Sequence, residues 1–108
     1  MSRVVIALSC AMAISGCAAR HAPAAPAAPK RSAAERIAAV VALTGDAARG
    51  AERFERACSE CHDATRDFRG VDAARVTDEV LHGNADMPSF DDQLSDGQIA
   101  DLVAFLVR

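Results

Sequence analysis

Beyond residue 31 the apolar residues of this chain recur three and four positions apart, the repeat of helices that each bury one face. In residues 32–43 they are Ile37, Val40, Val41 and Leu43. Ser32 and Glu35 stand at capping-box spacing at the start of that segment, and Thr44-Gly45 breaks it. Residues 46–57 form a second helix with Asp46 as N-cap, running directly into Cys58. Gly50 and Phe54 lie one turn apart on it and so share a face. A mid-helix glycine costs about 1 kcal/mol relative to alanine, a cost that close approach of another helix can offset. Residues 63–71 read as a polar loop. Asp72 caps a third helix over residues 73–82 with Val76, Val80 and Leu81 apolar, and Gly83 ends it as a C-terminal glycine. After a loop over residues 84–93, Ser95 and Gln98 make a second capping box. The last helix carries Ile99, Leu102, Val103 and Leu106 as its stripe, widened by Phe105. Nothing alternates at period two, so the class expected is all-α, three to four helices with no sheet.

The first 31 residues follow different rules. Arg3, the apolar run from Val4 to Ile14 and the small residues after it make an export signal, too short to span a bilayer well. Its end, Ile14-Ser15-Gly16-Cys17, resembles a bacterial lipobox, in which the chain is cut before the cysteine and the sulfur is lipidated. Residues 1–17 are therefore expected to be a lipoprotein signal peptide, with Cys17 the first residue of the mature chain. Ordinary cleavage after Ala19, giving a free periplasmic protein, is the competing outcome. Cys10 lies inside the apolar run and acts there as a small hydrophobe. Residues 18–31 are an Ala/Pro-rich linker, with Pro23, Pro26 and Pro29 at every third position. This favours an extended spacer reaching about 40 Å. Residues 32–45 are a short helical extension, equally suited to packing on the domain, prolonging the spacer or touching a partner. Residues 46–108 are the domain proper.

Composition adds two constraints. With 108 residues, no tryptophan or tyrosine and four phenylalanines, the chain has room for one small domain and few large core residues. Domains of this size often need a staple or a cofactor. The net charge of −3 hides an asymmetry: residues 44–108 hold 14 carboxylates against 7 arginines. That balance disfavours nucleic acid and anionic membrane surfaces as partners and suits a basic patch on another protein.

The chemistry centres on Cys58-Ser59-Glu60-Cys61-His62, a C-x-x-C-H sequence, the mark of covalent c-type haem attachment. On a helical turn, positions three apart share a face, so both thiols can add to the vinyl groups of one porphyrin. His62 then falls beneath the ring, where an imidazole nitrogen can bind iron. For the opposite axial position the signal-free chain offers one methionine, Met87, 25 positions after His62 and followed by Pro88, which restricts the backbone. A thioether favours reduced iron. Core filling is the ordinary role of a methionine. His82 is a competing ligand, but at a helix end beside Gly83 it reads more simply as a surface histidine interacting with the helix dipole. His21 lies in the linker.

Together these residues resemble the small monohaem class I cytochromes c over residues 46–108. The likeness is carried by Gly50-x-x-x-Phe54, Cys58-x-x-Cys61-His62, Val80-x-x-Gly83-x-x-x-Met87-Pro88-x-Phe90 and the terminal helix from Ile99 to Leu106. The resemblance implies a first and last helix crossing near right angles, with Gly50 and Phe54 against Leu102 and Phe105. It implies thioether bonds at Cys58 and Cys61, His62 as proximal ligand, Met87 as distal ligand, and one covalent haem c as cofactor. Two features depart from the family. Residues 63–71 lack the proline whose region helps orient the histidine's other nitrogen, and there is no tyrosine or tryptophan for the propionates. Arg66 and Arg69 are the charged candidates there, although both also suit a solvated loop.

Structural zinc wants four ligands, and the domain adds little but His82 to Cys58, Cys61 and His62. A dithiol redox motif belongs beside a βαβ pattern, which is lacking. The expectation is a periplasmic electron carrier rather than an enzyme, tethered by lipid at Cys17, exchanging electrons with redox proteins that present a basic docking surface. A gas sensor or peroxidase-like enzyme is the alternative if Met87 is not a stable ligand. Another is a tethered electron-transfer subunit of a larger oxidase or dehydrogenase.

Overall fold

The computed structural model describes residues 29–108; the apolar N-terminal run, Cys17, His21 and most of the 18–31 linker lie outside them. Each of its four helices starts where a side chain can accept a free backbone N–H. In α1 (Ala33–Val41) Ser32 Oγ accepts from the Glu35 N–H, while Glu35 Oε2 accepts from the Ser32 N–H at 2.8 Å. In α2 (Ala47–Ala57) the Asp46 carboxylate accepts from the Arg49 N–H, and in α3 (Ala73–His82) Asp72 accepts from the Arg75 N–H. In α4 (Asp96–Leu106) Ser95 and Gln98 repeat the reciprocal box. The described residues contain no strand, so the all-α class expected from the sequence holds.

The closest pairing is α2 on α4, and two glycines make it possible. A Cβ on Gly50 would lie 2.0 Å from the Asp101 carbonyl oxygen and 2.9 Å from Phe105 Cβ. A Cβ on Gly45 would lie 2.0 Å from the Ala100 carbonyl oxygen. Gly45 therefore does more than break a helix: with Gly50 it lets the α4 backbone sit directly against α2. Phe54 follows one turn on, its ring 5.6 Å from that of Phe105. The buried set on α4 shifts accordingly. Ile99, Leu102 and Leu106 are buried as expected, Val103 is half-buried, and Ala100 and Asp101 are buried as well because the glycines face them.

Asp101 is the one charged side chain buried against this contact. It accepts from the Asp46 N–H at 2.7 Å and from Arg49 Nε at 2.9 Å, joining the start of α2 to the middle of α4. The Arg49 bond holds its carboxyl below the usual carboxylate range, against the opposing pull of burial.

The extension before the domain is docked on it. Arg36 donates from Nε to Asp96 Oδ1 at 2.9 Å, from Nη1 to the Asp91 carbonyl at 2.7 Å and to its carboxylate, and from Nη2 to the Leu94 carbonyl at 2.7 Å. Val40 is 1% exposed in the core, whereas Val41 and Leu43 are 46% and 48% exposed. The apolar side drawn from four residues is thus narrower than the sequence indicates. Successive residues turn by about 100°, so a face centred on Val40 takes in Arg36 and Ile37 and leaves Val41 off it. The Arg36 bonds and Val40 hold that face against the domain. On the α3 side, Val76, Val80 and Leu81 are buried as expected, together with Thr77, whose hydroxyl donates to the Ala73 carbonyl at 2.7 Å. Burial contributes about 1.5–3 kcal/mol for each such Val, Leu, Ile or Phe side chain.

Candidate functional site

The last turn of α2 continues through the C-x-x-C-H sequence. The Cys58 and Ser59 N–H groups both donate to the Phe54 carbonyl, and those of Cys61 and His62 donate to the Cys58 carbonyl at 3.1 and 2.9 Å. This chain of bonds winds residues 58–62 into a compact turn fixed to Phe54, hence to α4. Cys58 is half-buried and Cys61 exposed, and the two are not joined in a disulfide. Burial pushes the Cys58 thiol up from its usual value.

Residues 63–71 are more ordered than a polar loop implies. Asp63 Oδ1 accepts from the Thr65 and Arg66 N–H groups and the Thr65 hydroxyl, while Asp67 Oδ2 accepts from the Asp63 N–H at 2.9 Å. This frame turns Phe68 inward, where it meets Phe54 edge-on at 6.0 Å and the His62 ring at 5.5 Å. Phe105, Phe54, Phe68 and His62 thus form a run of ring contacts from α4 to the candidate ligand.

The opposite wall comes from the end of α3. Gly83 has φ +63 and ψ −161, a positive φ with extended ψ rather than the left-handed helical cap expected. A Cβ there would lie 2.3 Å from the Met87 carbonyl oxygen and 2.7 Å from Pro88. Glycine is required because the Met87–Pro88 backbone crosses the helix end. Asn84 closes the loop: its side-chain oxygen accepts from the Asp86 and Met87 N–H groups, and its own N–H donates to the Met87 carbonyl at 2.9 Å. The Phe90 N–H donates to the Val80 carbonyl, and the Ser89 hydroxyl to the Leu81 carbonyl. Met87 is held by backbone geometry on both sides.

Between the two walls lies a cleft of about 400 Å³, with Cys58, His62, Met87, Val76, Val80 and Leu102 in its lining. An adjoining lobe of about 370 Å³ shares Cys58, His62 and Met87 and adds Cys61, Pro88 and Phe90. These volumes fall in the range of sites for small molecules and cofactors. The four side chains singled out from the sequence therefore surround one mostly apolar space. Residues 45–106 match the family described as Cytochrome C oxidase, cbb3-type, subunit III, over more than half of the chain. The chain belongs to this family. Comparison with curated proteins and with solved structures returns no match.

Membership makes this a small class I cytochrome c domain with one covalent c-type haem, working in haem-based electron transfer. The cleft fits that group by the chemistry of its lining: two cysteines, an imidazole and a thioether around an apolar space. The other sequence candidates lie elsewhere. His82 is outside the lining of both lobes, with Nδ1 2.7 Å from Asp78 Oδ1 one turn back on α3. Arg66 pairs with Asp67 at 2.9 Å, and Arg69 lines a separate depression beside Phe105 and Arg108. The cation on the cleft wall is Arg75, which forms no ion pair among the described residues. Its position after the Asp72 cap carried no distinguishing signal. Asp67, also in the lining, carries no distinguishing sequence signal either, being one carboxylate among the fourteen of residues 44–108. Among the described residues no three His, Cys, Asp or Glu side chains form a metal-binding group, and no helix is long and apolar enough to cross a membrane. Cys17 lies outside the described residues.

Proposed function

We propose that this cytochrome c domain is a periplasmic one-electron carrier, lipid-anchored through Cys17, with haem bound through Cys58 and Cys61 and ligated by His62 and Met87. The single observation that carries the ligand set is the convergence of those four side chains on one cleft from walls fixed independently of each other. When bound, the haem supplies a ferric/ferrous couple that takes up and releases one electron. Cys58 and Cys61 keep it from being lost. His62 and Met87 would both hold its iron, so that little would have to rearrange on electron transfer. Gly83 and Asn84 hold the methionine loop closed. Cys61, on the exposed side with Asp86 and Pro88, marks the edge where a partner would approach. The excess of carboxylates supports docking on a basic surface.

The lipobox-like end of the apolar run and the Ala/Pro spacer support export and tethering. Mass spectrometry of the mature N-terminus tests this: a diacylated chain beginning at Cys17 is expected, and an unmodified chain beginning elsewhere removes the anchor. For the ligands the test is the spectrum of the Met87→Ala holoprotein. It should lose the weak long-wavelength band of a methionine–iron bond in the ferric form and gain carbon monoxide binding in the ferrous form. Wild-type protein that already lacks the band and binds carbon monoxide would instead be a gas sensor or peroxidase-like enzyme.

The family's description as an oxidase subunit favours a second reading, in which the domain passes electrons within or to a larger oxidase. Co-purification of oxidase polypeptides with tagged, full-length chain from solubilised membranes separates this from a free carrier.

A further inference from the structure

The orienting partner of His62 is unaccounted for in the family pattern, because residues 63–71 contain no proline. Among the described residues no backbone carbonyl accepts a hydrogen bond from the His62 ring. The acceptor facing Nδ1 is the Asp67 carboxylate, with Oδ2 3.5 Å away. We propose that Asp67 is the positioning residue of the proximal histidine: it accepts the Nδ1–H of His62, leaves Nε2 to the iron, and biases the couple towards the ferric state. This rests on the reading of His62 as an axial ligand.

Asp67 is built into its place. Its Oδ2 accepts from the Asp63 N–H at 2.9 Å and its Oδ1 from Arg66 Nε at 2.9 Å, while Asp63 pins the turn from the other end. Phe68, the next residue, packs against the His62 ring, so one short segment supplies both an apolar contact and an anion to the imidazole. An aspartate carboxyl is ionised at physiological pH, and the Arg66 guanidinium and Asp63 N–H that it accepts from favour that charged form. At 3.5 Å the pair is looser than a formed charge-assisted bond, as such contacts often are before the bound state draws them together. A carboxylate on a ligand imidazole's second nitrogen fixes the ring and raises the ligand's basicity, which stabilises the more positive iron. A backbone carbonyl, being neutral, does this less.

The test uses the haem-loaded full chain as wild type, Asp67→Asn and Asp67→Glu, measuring reduction potential and the His62 Nδ1–H signal by NMR of the ferrous protein. Asp67→Asn is expected to raise the ferrous-to-ferric ratio at fixed potential roughly three- to tenfold, the upper end being a midpoint rise of about 59 mV for one electron. The Nδ1–H resonance should move, the methionine–iron band should persist, and Asp67→Glu should restore much of the wild-type ratio. An unchanged ratio and an unmoved resonance in Asp67→Asn, with the haem spectrum intact, would overturn the proposal and leave the ligand assignment standing. Should Asp67→Asn fail to fold, wild-type protein decides: an Nδ1–H that exchanges with water as fast as an unbonded ring N–H excludes a carboxylate partner. Failure of the underlying reading looks different, because His62→Ala would then keep an unchanged haem spectrum and potential.

Discussion

Asp101 bridges two helices through one carboxylate, so its removal strands the Asp46 N–H and leaves Arg49 without its main partner. Asp101→Ala is expected to destabilise the domain by about 1–3 kcal/mol, measured by urea denaturation of the holoprotein. The pH dependence has a definite sign. A carboxyl with a lowered folded-state pKa contributes stability above its ordinary value of 3.8, and that contribution is lost as pH falls through the lowered value. Wild-type protein should therefore lose stability below about pH 4 more steeply than Asp101→Asn, a difference read from Tm against pH. Gly83 is a second residue whose role lies in a contact. Gly83→Ala must adopt a positive φ and push its Cβ into the Met87 carbonyl, so the strain falls on the methionine loop. The expected result is retained covalent haem with a weakened or lost methionine–iron band.

Among the elements, α1 depends on its contacts with the rest of the domain. At nine residues it is too short to be helical alone, and its stability comes from Val40 and from the Arg36 bonds to Asp91, Leu94 and Asp96. Arg36→Ala empties a largely covered site and leaves the Asp96 carboxylate with only the more exposed Arg31 as its cation. A loss of about 1–3 kcal/mol in urea denaturation is expected, with the haem spectrum unchanged because Arg36 is not in the cleft lining. The pairing of α2 with α4 is the opposite case. Gly50→Ala brings a methyl to within 2.0 Å of the Asp101 carbonyl oxygen, and backbone on both sides cannot move aside, so a cost of about 1–3 kcal/mol or more is expected.

At the scale of the whole molecule, charge and cofactor govern behaviour. The surplus of carboxylates in residues 44–108 predicts that electron transfer to a basic partner slows as salt rises, with most of the fall by about 0.15 M, where the screening length is about 8 Å. Stopped-flow rates at several ionic strengths check it, and a rate independent of salt would exclude electrostatic docking. Val76, Val80, Leu102 and Leu106 line the cleft, so bound haem would complete the apolar core they form, and apoprotein should be less stable in thermal unfolding followed by circular dichroism.

By itself the sequence determined the helices, their caps and the four candidate haem residues. These depend on neighbours within a few positions: Ser32 with Glu35, Ser95 with Gln98, and Cys58 with Cys61 and His62. Only the tertiary structure decided what lies between distant segments. It showed Gly45, beside the expected Gly50, against the α4 backbone, Asp101 as a buried link, and α1 packed through Val40 so that Val41 and Leu43 face outward. It also set Arg75 rather than Arg66 or Arg69 on the cleft wall, and brought Asp67 to the His62 ring. Those outcomes turn on which of many similar charged residues meets a partner far along the chain. A local pattern records the period of an element; it does not record which carboxylate among fourteen a folded backbone carries to an imidazole.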